Sequence, residues 1–327
     1  MIEGHGKDQG LAEAVIVAGP TCSGKSALAL ALAERLGGAV INADSMQVYR
    51  ELRVLTARPT PEDEARVPHL LYGVRPAAEA GSAAWWRAAA LDAMERCRAR
   101  GLLPILCGGT GLYFRALTDG LAEIPDPGEA ARAEGRALLA ELGAPGLHAR
   151  LAEVDPRTAA GLRPSDSQRL ARAWEVWRGT GQGLSDWQRA GTASGPVARF
   201  SAVRLDPPRP ALREAITGRF TRMLAEGAID EVRALLALGL DPALPAMRAH
   251  GVPELAQLLR GGITLIEAQA KAVSATTRYT KRQHTWFAHH ALAEQDRTVI
   301  LDHRTGDSEQ VMQKILPDLV EFIRDRG

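Results

Sequence analysis

Ala14-Val15-Ile16-Val17-Ala18, then Gly19-Pro20-Thr21-Cys22-Ser23-Gly24-Lys25-Ser26, then Ala27-Leu28-Ala29-Leu30-Ala31-Leu32-Ala33 decides the fold. The first five residues are apolar without alternation, the pattern of a strand buried on both faces. The last seven are strong helix formers. The eight between them match G-x-x-x-x-G-K-[ST], and a glycine-rich turn at a helix N-terminus aims backbone N–H groups at a bound anion. Lys25 adds a mobile positive charge, and the Ser26 hydroxyl can ligate Mg²⁺. Gly19 to Ser26 is therefore expected to hold a phosphate.

Outward from this loop, Gly37-Gly38 ends the helical pattern and Ala39-Val40-Ile41-Asn42-Ala43 reads as a second buried strand. Asp44 follows it, and in open parallel sheets the carboxyl ends of the strands border the ligand crevice. Asp44-Ser45-Met46-Gln47 is thus expected beside the phosphate loop; a plain cap of the next turn is the competing role for Asp44. Leu55 to Pro59 with Pro61 reads as an irregular loop and Val67 to Val74 as a short strand, in which His69 is a proton carrier or, the favoured reading, a partly buried histidine. Ser82 to Arg100 reads as a helix with core tryptophans Trp85 and Trp86. Leu102 to Cys107 is a third apolar run, and it delivers Gly108-Gly109-Thr110-Gly111 to the same crevice. Thr110 can bond a substrate there or cap the helix that follows.

From about Pro125 the composition shifts to Ala, Arg, Glu and Leu, broken by Pro145, Pro156 and Pro164. Residues 121–200 are expected to form an all-helical insertion domain ending in a loose Gly179–Gly195 stretch. Residues 1–120 and 201–327 make the α/β core, a P-loop NTPase-like parallel sheet flanked by helices. Ala198 to Leu205 and Thr298 to Asp302 return to the sheet, with helices at Pro210–Ala225 and Ala228–Leu238 and a closing one in the tail. Arg213, Arg219 and Arg222 fall at helical spacing. Lys271 to His290 carries Lys271, Arg278, Lys281 and Arg282 without one Asp or Glu, interleaved with Tyr279, Trp286 and Phe287, which suits RNA phosphates and bases as well as a solvated face.

The chain has 327 residues and a formal net charge of +1, so any attraction to nucleic acid rests on local clusters. Cys22, Cys97 and Cys107 form no C-x-x-C pair, which fits a reducing cytoplasm. Met1–Gly10 is polar rather than a basic segment leading into an apolar one, and no run approaches a membrane span, so neither secretion nor insertion is expected.

These motifs, in this order, resemble the tRNA dimethylallyltransferases (the IPP transferase family): Gly19–Ser26, Asp44 to Arg50, Pro68-His69, Gly108 to Tyr113, Asp166 to Leu170 and Thr277 to Phe287. The resemblance implies transfer of a dimethylallyl group from dimethylallyl diphosphate to N6 of adenosine 37, next to the tRNA anticodon, with Mg²⁺ bridging the diphosphate and no ATP consumed. It gives Asp44 the N6 proton, Thr110 the positioning of the reacting groups and Arg219 a contact to the diphosphate. It assigns tRNA contacts to Asp44, Ser45, Met46, Gln47, Thr110, Arg132, Asp166, Ser167, Gln168, Arg169, Leu170, Arg248, Ala249, His250, Gly251, Val252 and Pro253, joined by Lys281 and Arg282 of the basic stretch. The partners are the anticodon stem-loop and the prenyl donor, and a monomer is expected. Three segments depart from the family: Leu55-Thr56-Ala57-Arg58-Pro59 stands for Gly-Thr-Ala-Lys-Pro, His250-Gly251-Val252-Pro253-Glu254 for Ile-Gly-Tyr-Lys-Glu, and Pro68-His69-Leu70 for the usual His-His, so no paired-histidine role is assigned. The alternatives are a P-loop kinase, which needs a Mg²⁺-binding carboxylate where this chain has Gly108-Gly109-Thr110, and a non-catalytic RNA-binding module, which leaves the phosphate loop idle.

Overall fold

The computed structural model describes residues 12–191, 196–305 and 309–326; Met1–Gly10 and residues 192–195 of the Gly179–Gly195 stretch lie outside them. The chain divides into two compact units, residues 1–118 with 197–327, and residues 119–196.

The first unit begins β1 (Glu13–Ala18), α1 (Lys25–Leu36), β2 (Gly38–Asn42), α2 (Pro61–Arg66), β3 (His69–Leu70), α3 (Ala83–Ala99), β4 (Leu103–Gly108) and α4 (Gly111–Thr118). The second unit holds α5 (Gly128–Val154), α6 (Pro156–Ala160), α7 (Ser167–Thr180) and α8 (Leu184–Ala190). The chain then resumes the first unit with β5 (Arg199–Leu205), α9 (Arg209–Ala225), α10 (Ala228–Ala237), α11 (Val252–Leu259), α12 (Leu265–His289), β6 (Thr298–Leu301) and α13 (Glu309–Asp325).

The six strands form one sheet in the order β3-β2-β4-β1-β5-β6, and every pairing is parallel. The unbroken apolar runs are explained by burial on both faces. Ala14, Ile16 and Ala18 of β1 pack on one side with Trp86, Met94, Phe114 and Phe220, whereas Val15 and Val17 pack on the other with Leu28 and Leu32 of α1 and Leu319 of α13. With all strands parallel, the loops after β1, β2, β4 and β5 gather at one end of the sheet.

Five expectations change. The Val67–Val74 strand shrinks to His69–Leu70, because Pro68 lacks an N–H and both Leu71 (φ 65°) and Gly73 (φ 59°) turn the backbone out of extended geometry. Pro61–Arg66 is a helix, nucleated by a capping box between Thr60 and Asp63. Leu184–Ala190 is a helix inside what reads as loose chain, and its Trp187 indole donates to Thr180 Oγ1. In α5 the break lies at Gly143 (φ 66°, ψ 176°), two residues ahead of Pro145. Trp86 is buried and stacks on Tyr113, but Trp85 is half-buried under the Arg75 guanidinium. His69 is partly buried and its Nδ1 faces Val67 O.

Candidate active site

The loop between β1 and α1 folds back on itself: Ser23 N–H donates to Pro20 O, and Lys25 Nζ donates to the same carbonyl at 3.3 Å. Gly24 takes φ 94° and opens the helix, whose first unpaired amides face the loop. Cys22, though not a glycine, takes φ 67°. Its conformation is braced from two other elements. Arg304 Nε donates to Cys22 O at 2.8 Å, Thr305 N–H donates to Ser23 O, and Arg219 of α9 reaches the Cys22 sulfur at 3.8 Å. Gly19 is required by packing, since a Cβ there would stand 2.8 Å from Leu205 O.

Burial lowers the pKa of the Lys25 ammonium and the Arg219 charge adds to that, while the nearby Asp44 carboxylate opposes it. Lys25, Arg219 and Asp44 therefore share one electrostatic neighbourhood, although they come from three separate parts of the chain. Burial also pushes the Cys107 thiol up to about 11, against the opposing influence of Lys25 and a hydrogen bond with Ser26. Ser26 itself stands exposed at the start of α1.

Asp44 is set by a turn that Asn42 organises. The buried Asn42 side chain donates to Leu71 O and Asp44 O, and accepts from Asp44 N–H at 2.8 Å. Asp44 Oδ1 accepts from Met46 N–H at 2.9 Å, so the residue does cap its turn as well as facing the loop. Thr110 does not cap α4 with its side chain: Oγ1 accepts from Ser45 N–H at 2.9 Å and meets Ser45 Oγ at 3.3 Å. The two turns approach so closely that a Cβ on Gly108 would lie 2.1 Å from Ala43 O. Burial together with the Asp44 charge raises the pKa of the Tyr279 phenol, with Thr110 acting in the opposite sense. The His250 ring lies 5.0 Å from Tyr279 and burial lowers its pKa.

The remaining sequence candidates divide by position. Gln47 spends its amide on Thr56 O and Ala57 O, and Arg219 also donates to Thr56 O. Lys281 and Arg282 are exposed on α12, with Arg282 over the Tyr279 ring, whereas Phe287 is core. Arg248 and Pro253 are exposed, but Ala249 and Val252 are buried in the hydrophobic core and can offer an RNA only backbone. Arg213 and Arg222 are exposed while Arg219 turns inward, so the three do not act as one face. Within the second unit, Arg132 pairs with Asp126 and Glu129, Asp166 caps α7 at Arg169 N–H, and Ser167, Gln168 and Arg169 lie at its start. Leu170 is buried in that unit's own core.

Two residues of this site escape sequence reasoning. Glu231 of α10 accepts three successive backbone N–H groups, from Arg53 and Val54 on Oε1 and from Leu55 on Oε2, and so shapes the loop that carries Thr56. Gln283, buried on α12, bonds both Thr21 and Gly109. The signals were its place in the motif from Thr277 to Phe287, to which no role was attached, and an uncharged polar residue inside a basic run.

An all-parallel sheet whose central strand ends in this loop, with cations from two helices and a carboxylate across the crevice, defines an α/β protein of the P-loop NTPase-like class. The family model for IPP transferase matches residues 47–290 and that for isopentenyl transferase matches residues 12–71. The chain belongs to the IPP transferase family and is a transferase. It is 62% identical to the tRNA dimethylallyltransferase of Granulibacter bethesdensis, over 95% of this chain and 98% of that protein. It is 59% identical to the tRNA dimethylallyltransferase of Gluconobacter oxydans, over 96% and 94% respectively. Among solved structures, the full-length tRNA isopentenylpyrophosphate transferase of Bacillus halodurans aligns with TM-score 0.67 and 32% identity, over 96% of this chain and 97% of that one. A eukaryotic dimethylallyltransferase acting on tRNA shares the fold, with TM-score 0.78 and 22% identity, over 97% of this chain and 80% of that one.

Proposed function

We propose that the protein transfers the dimethylallyl group of dimethylallyl diphosphate to N6 of adenosine 37, beside the anticodon of tRNA, and releases diphosphate. The observation that carries this reading is the loop that holds Lys25 on Pro20 O and receives Arg219 at the Cys22 sulfur, with the Asp44 charge acting on Lys25: two cations for a leaving diphosphate and one carboxylate for an incoming amine. The kinase and RNA-binding-module readings have no support from the family, and β4 ends in Gly108-Gly109-Thr110 rather than in a carboxylate.

The allylic C1–O bond breaks and its electron pair leaves with the diphosphate, whose charge Lys25, Arg219 and the first backbone N–H groups of α1 neutralise. The N6 lone pair forms the new bond to C1, and the N6 proton passes to the Asp44 carboxylate. Thr110, fixed by Ser45, orients the amine beside Asp44. Adenosine must leave its stack to enter, and exposed Lys281 and Arg282 attract the surrounding phosphates. The helical second unit, residues 119–196, contributes Arg132 and the start of α7 to the grip on the anticodon stem.

The Ser26 hydroxyl fits Mg²⁺, a hard cation that prefers oxygen. Among the described residues no group of three His, Cys, Asp or Glu side chains could hold a metal, so Ser26 would share the ion with diphosphate oxygens and water. When bound there, Mg²⁺ supplies charge neutralisation of the leaving group. Among the same residues no helix is long and apolar enough to cross a membrane. We take the protein to act in the cytoplasm as a monomer.

The test is to mix protein, Mg²⁺, dimethylallyl diphosphate and an anticodon stem-loop with adenosine 3′ of the anticodon, then digest the RNA to nucleosides. A C5H8 gain on that adenosine is expected; an unchanged adenosine contradicts the reading.

A further inference from the structure

The phosphate loop and the Gly108-Gly109-Thr110 turn leave adjacent strands, β1 and β4, and one side chain from α12 joins them. Gln283 is 4% exposed. Its Oε1 accepts from Thr21 N–H at 2.9 Å and from Thr21 Oγ1 at 3.4 Å, and its Nε2 donates to Gly109 O at 2.9 Å. Gly109 makes room for it: a Cβ there would lie 2.2 Å from Gln283 Nε2. The site demands an acceptor on one side and a donor on the other at a fixed reach. Glutamine meets this, ionised glutamate offers two acceptors, asparagine is one methylene short and alanine supplies neither. Thr21 directly precedes Cys22, the non-glycine residue held at φ 67°, so the bond to Thr21 also steadies the strained turn of the loop.

We propose that Gln283 is a positioning residue for the transfer reaction: it sets the distance between the loop that holds the leaving diphosphate and the turn whose Thr110 orients the amine. This rests on the functional reading above. Both polar atoms of Gln283 are engaged by the protein's own loops and almost none of the side chain is exposed, so it touches neither substrate. Its effect comes through geometry. The bond that breaks and the bond that forms share one carbon, so a shift of a few tenths of an ångström between the two loops lengthens the approach of N6 to C1, and rates fall steeply with such misplacement.

The test compares the full-length wild type with Gln283→Ala and the near-isosteric Gln283→Glu. Three quantities are measured: the affinity for dimethylallyl diphosphate with Mg²⁺, the affinity for tRNA, and the single-turnover transfer rate with both substrates saturating. Gln283→Ala should weaken prenyl diphosphate binding about tenfold and slow saturated transfer about 10- to 100-fold, with tRNA affinity within about twofold of wild type. Gln283→Glu should recover with acid. Its buried carboxyl, once protonated, can again donate to Gly109 O, so its rate relative to wild type should rise between about pH 8 and about pH 6. A role in stability alone would lower the melting temperature, leave the saturated rate unchanged and make the ratio of Gln283→Glu to wild type the same at every pH, and that result overturns the proposal. Failure of the underlying reading looks different, because wild type itself would then bind no prenyl diphosphate and prenylate no RNA.

Discussion

Asp44 shows how one residue can satisfy two readings. Its Oδ1 caps the turn at Met46 N–H while its charge reaches Lys25, Tyr279 and His250. Asp44→Asn keeps the shape and the cap but cannot take a proton, so saturated single-turnover transfer should fall by about 10²- to 10⁴-fold while both substrates still bind. Lys25 carries a second residue-scale prediction. Its ammonium titrates below the ordinary lysine value because it is buried. A lysine holds diphosphate only while protonated, so affinity for dimethylallyl diphosphate should be full at lower pH and decline as pH rises, beginning well before an ordinary lysine would lose its proton. Titration calorimetry across the alkaline range checks this, and Lys25→Ala should bind weakly with that alkaline decline removed. Both residues were legible in the sequence, because each is attached to a local pattern: the loop fingerprint for Lys25 and the strand end for Asp44.

Other features become visible only at the scale of elements. Glu231 lies about 180 residues along the chain from the amides it caps, and no local pattern links a helix glutamate to a distant loop. Glu231→Ala leaves three consecutive N–H groups without their carboxylate and should destabilise the fold by about 2–3 kcal/mol, read as a lower melting temperature. Because Thr56 O receives both Gln47 and Arg219, the same variant should also raise KM for the prenyl donor. Two of the family departures likewise meet in space. Leu55 is buried against Gly251, where a Cβ would stand 2.8 Å from Leu55 Cδ2, so the one replacement fills room beside the other segment. On α12, Lys281 and Arg282 point outward while Gln283 is buried. Lys281→Ala and Arg282→Ala should each weaken tRNA binding and reduce its salt slope by up to about one for every phosphate left without its cation. Unchanged slopes would make this a solvated face. The helices α2 and α8 were missed for a simple physical reason: each is short, and their proline, glycine and charged residues read as loop until capping and packing select the helix.

At the scale of the whole molecule, the sheet was the most legible part of the sequence, because burial on both faces leaves long apolar runs that no other architecture needs. The order of the strands was not legible, since it depends on which runs pair at a distance. The chain leaves the first unit after Thr118 and resumes it at Val197, whose N–H donates to Leu117 O at 3.2 Å. A short linker can therefore replace residues 119–196 without stretching the sheet. We expect such a protein to fold and bind dimethylallyl diphosphate while losing most of its affinity for tRNA; loss of prenyl diphosphate binding would assign the second unit a part in the diphosphate site.

The central claim is that the loop from Gly19 to Ser26 holds the leaving group of a prenyl donor, not a nucleotide that is spent. The most direct measurement is to count the diphosphate released for each prenylated adenosine formed, with no ATP present. The account predicts one diphosphate per modified adenosine and no change in rate when ATP is added. Absence of product without ATP, or formation of ADP in step with product, would contradict it.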